Sequence, residues 1–273
     1  MNKLFLIALA VLCTCVACQQ DAQKNGVNGS KLPEETINML AGHWVAIDFC
    51  ARVNNYGGVL EAMNETHKPY VYALTFNPAF PDSVECFNGV EQYKLAFTMR
   101  VDTIELKGAR AENKSVFLVI SGQDKEKEMT MFDPAPSGTQ MDRFIKSKAG
   151  AANGYMAFAT ALNHNLFSGA FTQLAKGGAS NILFTPGGFI QKFKDYDRYS
   201  VCTAGDCFIA GPYVDIITLK NSQKENAEQV FSFKYSAKRD TLTLYNLVEQ
   251  NPEEKGIFTV GKPAYTFLRK SAE

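Results

Sequence analysis

LAGHWVAI, the stretch from Leu40 to Ile47, decides how the fold of this chain is predicted. It holds the only tryptophan among the 273 residues and begins the first run of apolar, β-forming side chains. Gly42 lets the backbone pass close to a neighbouring element, and the Trp44 indole can plug one end of an apolar core. The stretch therefore predicts the opening strand of a small closed barrel.

Short β-rich runs follow this opening at close intervals. Leu32–Ala41 has helical spacing and predicts a short helix before the barrel, whereas Trp44–Cys50 predicts a strand that leads into a looser stretch ending at Lys68. Turn residues separate the later runs and no helical pattern interrupts them, which favours antiparallel pairing. We predict these strands at residues 70–76, 83–87, 92–101, 103–107, 115–121, 128–132 and 143–146.

A helix and a second series of strands come next. Gly154–Leu166 carries aromatic and aliphatic residues along one helical face. Directly after it, Gly169 and Phe171 repeat the spacing of Gly42 and Trp44, and the order of the later strands also repeats. The sequence therefore predicts a mainly β protein with two tandem small antiparallel barrels joined by a helix. We define the first barrel as residues 32–148, the linker helix as 149–166 and the second barrel as 167–273.

The N-terminus predicts export. A positively charged start precedes the apolar run Leu4–Leu12, which is too short for a permanent membrane-spanning helix. The following Cys15-Val16-Ala17-Cys18 is similar to a bacterial lipobox, and this resemblance implies a signal peptide at residues 1–17 and a lipid on Cys18. Cys15 stands where that motif usually has leucine, and an ordinary signal peptide cleaved near Ala17 is the alternative.

Polar residues separate this N-terminus from the predicted body. Residues 18–31 contain almost nothing to bury and predict a flexible tether. The segment Gln19–Ala22 is similar to the export tags of surface lipoproteins in the Bacteroidetes. Together with a lipid on Cys18, this resemblance implies a protein anchored in the outer membrane, on the periplasmic face or at the cell surface.

Four cysteines besides Cys18 follow the signal: Cys50, Cys86, Cys202 and Cys207. An even number in an oxidising compartment favours disulfides. Of the three pairings we prefer Cys50 with Cys86 and Cys202 with Cys207, because the second pair flanks a turn. A thiol metal site would need a closer Cys-x-x-Cys and neighbouring histidines, so no metal is predicted.

Each half resembles a compact bacterial lipocalin-like domain of the calycin group. The resemblance rests on the Gly-x-aromatic opening, the order of the strands and a last strand that ends in Arg or Lys. In lipocalins a cation packs over the tryptophan at the closed end of the barrel. The resemblance therefore implies contacts of Trp44 with Arg143 or Lys146, and of Phe171 with Arg269 or Lys270.

The inside of each predicted barrel is where a ligand would bind. A barrel of about eight strands either fills itself with side chains or keeps a cavity for one small ligand. Each half is short for a lipocalin, and the 20 phenylalanines can fill two small cores, so we expect filled or shallow barrels. The candidates to line a cavity are Phe76, Phe97, Phe117, Phe144, Phe184, Phe193, Phe231, Phe233 and Tyr245.

The sequence has no pattern typical of an enzyme. Its three histidines are scattered, and nucleophile elbows, phosphate-binding loops and helical metal-ligand pairs are missing. The 28 basic and 28 acidic residues balance, which argues against nucleic acid. We predict a non-enzymatic envelope lipoprotein without a cofactor that binds a small hydrophobic molecule or lipid. The alternatives are an interaction lipoprotein that contacts another envelope protein, and a copper or envelope-stress sensor.

Overall fold

The computed structural model describes residues 32–110, 114–122, 127–148, 150–174, 181–203, 214–225, 227–250 and 257–270. These residues form two sheets of eight antiparallel strands and four helices. The predictions for the signal peptide, the tether, Cys18 and Cys207 concern residues outside this part of the chain. They stay predictions.

The first sheet closes into a barrel in the order β1-β2-β3-β4-β5-β6-β7-β8. Helix α1 (Glu34–Leu40) precedes it, and helices α2 (Ile47–Tyr56) and α3 (Val59–Met63) lie between β1 and β2. The strands are β1 (Gly42–Ala46), β2 (Ala73–Phe76), β3 (Ser83–Phe87), β4 (Gln92–Arg100), β5 (Thr103–Arg110), β6 (Lys114–Ser121), β7 (Glu128–Asp133) and β8 (Thr139–Lys146).

The second sheet has the order β11-β10-β9-β16-β15-β14-β13-β12 and is nearly closed. Its edges approach at the bridge between Phe189 and Arg198. The strands are β9 (Gly169–Gln173), β10 (Ile182–Phe184), β11 (Ile190–Gln191), β12 (Arg198–Val201), β13 (Ile216–Lys220), β14 (Glu228–Tyr235), β15 (Thr241–Glu249) and β16 (Phe258–Arg269). The prediction of two tandem antiparallel barrels is confirmed.

The predicted strand Trp44–Cys50 is wrong beyond Ala46, because α2 begins at Ile47. Phe49, Cys50 and Val53 are buried on one side of this helix. A carboxylate from β8, that of Asp142, accepts a hydrogen bond from the Asp48 N–H at 3.0 Å in the first helical turn. This tertiary cap and the buried helical face override the local β preference of the sequence.

The helix predicted before the second barrel is α4 (Gly154–Leu166). Its Asn153 cap accepts a hydrogen bond from the Met156 N–H at 2.9 Å. Phe158 of α4 is fully buried, and its ring stacks on Tyr72 of the first barrel with centroids 5.2 Å apart. The helix is therefore packed against the first barrel and leads directly into the second one.

Candidate functional site

A cation closes the α1 end of the first barrel. The Trp44 indole N–H donates to the Leu40 carbonyl at 2.8 Å, and the Lys146 Nζ lies 5.8 Å from the indole centroid. Gly42 has φ +113°, and a Cβ there would meet the Lys146 side chain at 3.1 Å, so glycine fits both the backbone and the space. Lys146, the second of the two cations that the resemblance implied, makes this contact.

Arg143 contacts other groups. Its guanidinium donates to the Asp48 carboxylate at 2.8 Å and lies 3.5 Å from a carboxylate oxygen of Glu128. The expected role of Arg143 as the closing cation is therefore wrong. Arg143 lies one position from the buried Asp142 on β8, so its side chain points to the opposite face of the strand.

The closed end of the second barrel repeats the arrangement. The Arg269 Cζ lies 5.0 Å from the Phe171 ring centroid, and the guanidinium donates to the carbonyls of Leu166 and Ser168 at 2.8 and 3.1 Å. Gly169 has φ +139°. The predicted contact between Phe171 and Arg269 is present, and it holds the end of α4 against the barrel.

The preferred pairing of Cys50 with Cys86 is wrong, because both are free and buried. Cys50 belongs to α2 and Cys86 to β3, and burial raises the pKa of the Cys86 thiol to about 12. Cys202 is disulfide-bonded, whereas Cys207, its predicted partner, lies outside the described residues. A disulfide-bonded Cys202 does not offer the thiolate that a copper site would use.

The predicted lining residues divide between the two faces of the strands. Phe117 shares the outer face with Glu105 and Phe132, its cross-strand neighbours, so the prediction that it lines the barrel is wrong. Tyr245 is also misplaced, since it pairs with Ser232 on the outer face of the second barrel. The others are buried in the core: Phe76, Phe97, Phe144, Phe184, Phe193, Phe231 and Phe233.

Both barrel interiors are filled by side chains. The cavity at the α1 end of the first barrel measures about 10 Å³, room for one water molecule at most. In the second barrel the Phe184 ring lies 5.3 Å from Phe171 and 5.8 Å from Phe267. Phe267 in turn lies 5.6 Å from Phe193. These contacts fill the interior of the second barrel with aromatic rings, so a ligand of this barrel would bind at the end away from Arg269.

The end of the second barrel opposite Arg269 carries a cavity of about 490 Å³, which we call the mouth. Two rings stand at its floor, those of Tyr196 and Tyr265, with centroids 6.3 Å apart. Tyr265 also lies 5.2 Å from Phe193 and 5.7 Å from Phe231, which join it to the core. The mouth is lined by Asp195, Tyr196, Lys224, Glu228, Gln229 and Tyr265.

Hydrogen bonds orient the two tyrosines of the mouth. The Tyr196 hydroxyl donates to the Gln229 side-chain oxygen at 2.8 Å, and the Tyr265 hydroxyl donates to the Asp195 carboxylate at 3.3 Å. Burial and then the charge of Asp195 raise the pKa of Tyr265, so its phenol stays neutral. The mouth therefore offers ring faces with polar and charged groups around them, which is suited to binding rather than to proton transfer.

A second cavity, of about 580 Å³, lies where the barrels meet, and we call it the junction cleft. The α2–α3 hairpin forms one wall, and the second barrel forms the other through residues 214 and 215 and the strands β14, β15 and β16. The Asp215 carboxylate, just before β13, accepts hydrogen bonds from the N–H groups of Val59 and Leu60 at 2.6 and 2.9 Å. Burial raises the pKa of Asp215 to about 6.

Sequence reasoning missed Tyr196 and Tyr265 at the mouth and Asp215 in the junction cleft. It did name Tyr245, which lines the junction cleft and not the interior of the barrel. Tyr265, Phe267 and Arg269 are two positions apart along the last strand, so their side chains lie on the same face. This period-two spacing was the signal that could have placed Tyr265 inside the barrel. Asp215 gave no such signal, because its partners Val59 and Leu60 lie about 155 positions away in the sequence.

No known protein family, curated protein or solved structure matches the chain. In the part of the chain that the structure describes, no helix is long and apolar enough to cross a membrane. Among the same residues, no three His, Cys, Asp or Glu side chains form a group that could hold a metal ion.

Proposed function

We propose that this chain is a non-enzymatic binding lipoprotein, and that the mouth of the second barrel takes a small molecule with a flat apolar part. The observation that carries the proposal is the cavity of about 490 Å³ in which Tyr196 and Tyr265 stand over an aromatic core. Binding sites are typically concave, with apolar and aromatic walls and a few oriented polar groups.

The packing of the barrels supports a shallow site over a deep one. Phe184 and Phe267 are fully buried and touch other rings, so a ligand inside the second barrel would have to displace core side chains. Displacing well-packed core residues costs several kcal/mol. At the mouth, the ligand meets Tyr265 without this cost.

The groups around the mouth set the chemistry of the ligand. Tyr196 and Tyr265 offer ring faces for stacking, which favours a planar apolar body. Lys224 and Glu228 stand at the rim, and Gln229 accepts a hydrogen bond from Tyr196. An amphipathic molecule with its ring over the tyrosines and its polar end at the rim satisfies both parts of the site.

Membrane attachment forms the second half of the proposal. The lipobox-like segment ending at Cys18 and the polar residues 18–31 support a lipid anchor followed by a tether. Metabolic labelling with palmitate tests it: the wild-type chain incorporates label and fractionates with the outer membrane, and Cys18→Ser does neither. Unlabelled wild-type protein in the soluble periplasmic fraction would overturn the anchor while leaving the binding site untouched.

The binding half is tested with N-phenyl-1-naphthylamine, a neutral aromatic dye that fluoresces in apolar sites. We expect saturable binding with one dye per chain. Ala227→Trp places a bulky ring in the mouth and should weaken binding at least about tenfold, whereas Ala79→Trp, on an exposed turn of the first barrel, should not change it. Equal dye binding by both variants, or none by the wild type, would refute the mouth as the site.

A further inference from the structure

The junction cleft is the larger of the two cavities, and binding at the mouth does not use it. It lies between two barrels, a position at which ligand sites are common. We propose that the junction cleft is a second binding site, specific for a small protonated amine that carries an apolar ring. The proposal rests on one carboxylate, the balance of charge and two accessible rings.

Asp215 supplies the anchor for the amine. Its Oδ1 accepts both hydrogen bonds from α3, those from the N–H groups of Val59 and Leu60. Its Oδ2 has no hydrogen-bond partner among the described residues. Oδ2 itself lies where a Cβ of residue 58 would stand, 2.0 Å from that position, so glycine at 58 lets the carboxylate lie against the backbone at the wall of the cleft. A partly buried carboxylate oxygen gains most from a donor that also carries positive charge.

The other charged groups of the cleft favour a cation. Glu61 on α3 is exposed and adds a second carboxylate, and Lys234 on β14 is the exposed cation of the opposite wall. Among the side chains that line the cleft, two carboxylates face one ammonium group, while the guanidinium of Arg239, beside Gly57, is held over the Tyr235 ring. A ligand carboxylate would meet Asp215 and Glu61 and be repelled.

Two tyrosines give the apolar part of the ligand a place to lie. Tyr56 on α2 is 40% exposed and Tyr245 on β15 is half-buried, and both line the cleft. Tyr235 is already covered by guanidinium groups, with Arg239 4.8 Å from its ring centroid. Aromatic faces attract ammonium groups as well as apolar rings. The cleft thus selects an aryl amine over a neutral or acidic ring compound of the same size.

The test is an NMR titration of the isotope-labelled protein with phenethylamine, phenethyl alcohol and 3-phenylpropionate. We expect phenethylamine to bind saturably and to shift the amide signals of Gly58 and Ser232, which line the cleft. The alcohol and the acid should bind at least about tenfold more weakly. Equal affinity for amine and alcohol, or shifts confined to Tyr196 and Tyr265 at the mouth, would overturn the proposal.

Variants separate the cleft from general charge effects. Asp215→Asn keeps an oxygen for the two α3 donors but removes the charge, and should weaken phenethylamine at least about tenfold. Asp102→Asn makes the same change on an exposed turn of the first barrel and should have no effect. Lys234→Gln removes the opposing cation and should tighten binding about twofold or more. If Asp215→Asn failed to fold, unchanged or weaker amine binding by Lys234→Gln would still refute the site.

Discussion

The guanidinium of Arg269 lies over the Phe171 ring, with Cζ 5.0 Å from the ring centroid, while its nitrogens donate to the carbonyls of Leu166, the last residue of α4, and of Ser168. One side chain thus joins the closing strand, the opening strand and the helix before it. Lys146 makes the smaller version of this contact over Trp44 and donates to the Met39 carbonyl at 3.3 Å. In both barrels the cation fixes the preceding helix to the Gly-x-aromatic strand.

Replacing this cation should destabilise the protein strongly. Arg269→Met keeps the apolar stem but leaves the carbonyls of Leu166 and Ser168 without their charged donor, and we expect the free energy of unfolding to fall by about 3 kcal/mol. Lys270→Met is the matched control, because Lys270 is exposed and should change stability by less than about 0.5 kcal/mol. Urea unfolding followed by circular dichroism measures both. Equal midpoints for the two variants would show that the Arg269 contact contributes nothing.

The buried Asp142 should make stability depend on pH. Burial raises the pKa of Asp142 to about 7. The Arg52 guanidinium, 2.9 Å from the Asp142 carboxylate, lowers this pKa but does not offset the effect of burial. The unfolded chain, in which an aspartate titrates near about 3.9, holds fewer protons than the native state between these values. The free energy of unfolding should therefore fall as the pH rises from about 4 to about 7.

Urea unfolding at several pH values between 4 and 8 tests this direction. Asp142→Asn should flatten the profile, but not completely, because the pKa of Asp215 is also raised, to about 6, and contributes with the same sign. A wild-type stability that increases with pH over this range would contradict the assignment. So would an Asp142→Asn profile with the wild-type slope.

Gly58 should resist substitution because of Asp215. Its φ of −166° is ordinary extended backbone that alanine also adopts. The loss of stability in an alanine variant would therefore come from the collision of the new Cβ with the Asp215 carboxylate, 2.0 Å away. We expect Gly58→Ala to lower the free energy of unfolding by about 2 kcal/mol or more. Gly150→Ala is the control, since a Cβ there meets nothing within 4 Å. Similar melting temperatures for both variants would mean that the α3 cap is not needed.

The cysteines should differ in their accessibility to alkylation. Cys50 and Cys86 are free but buried, so iodoacetamide should leave them unmodified in the native protein and label both after unfolding. Cys202 should be labelled only after reduction. Peptide mass spectrometry distinguishes the sites. Recovery of a peptide with Cys50 disulfide-bonded to Cys86 would contradict the structure.

The sequence predicts the barrels well because β-structure is encoded locally. The predicted strand at residues 83–87 coincides with β3, and the predicted helix at Gly154–Leu166 coincides with α4. The repeated Gly-x-aromatic pattern also locates Trp44 and Phe171 at the barrel ends. Alternation, turn residues and helical spacing are all properties of neighbouring residues, so they can be found without knowledge of the fold.

The errors arise where distant residues decide the outcome. Helix α2 replaces the predicted strand because Asp142, almost one hundred positions later, caps it. Phe117 was assigned to the interior by its residue type, although the alternation with the buried Val116 and Leu118 assigns it to the outer face. Neither cavity could be located from the sequence, since each brings together loops or helices from separate parts of the chain.

The most direct test of a binding site at the mouth is an amide chemical-shift map of the labelled protein titrated with N-phenyl-1-naphthylamine. We expect saturable shifts at Tyr196, Glu228 and Tyr265, with one dissociation constant for all three, and unchanged signals for Gly58 and Ser232 in the junction cleft. Shifts spread over core residues such as Phe184 and Phe267, or centred on the first barrel, would contradict it.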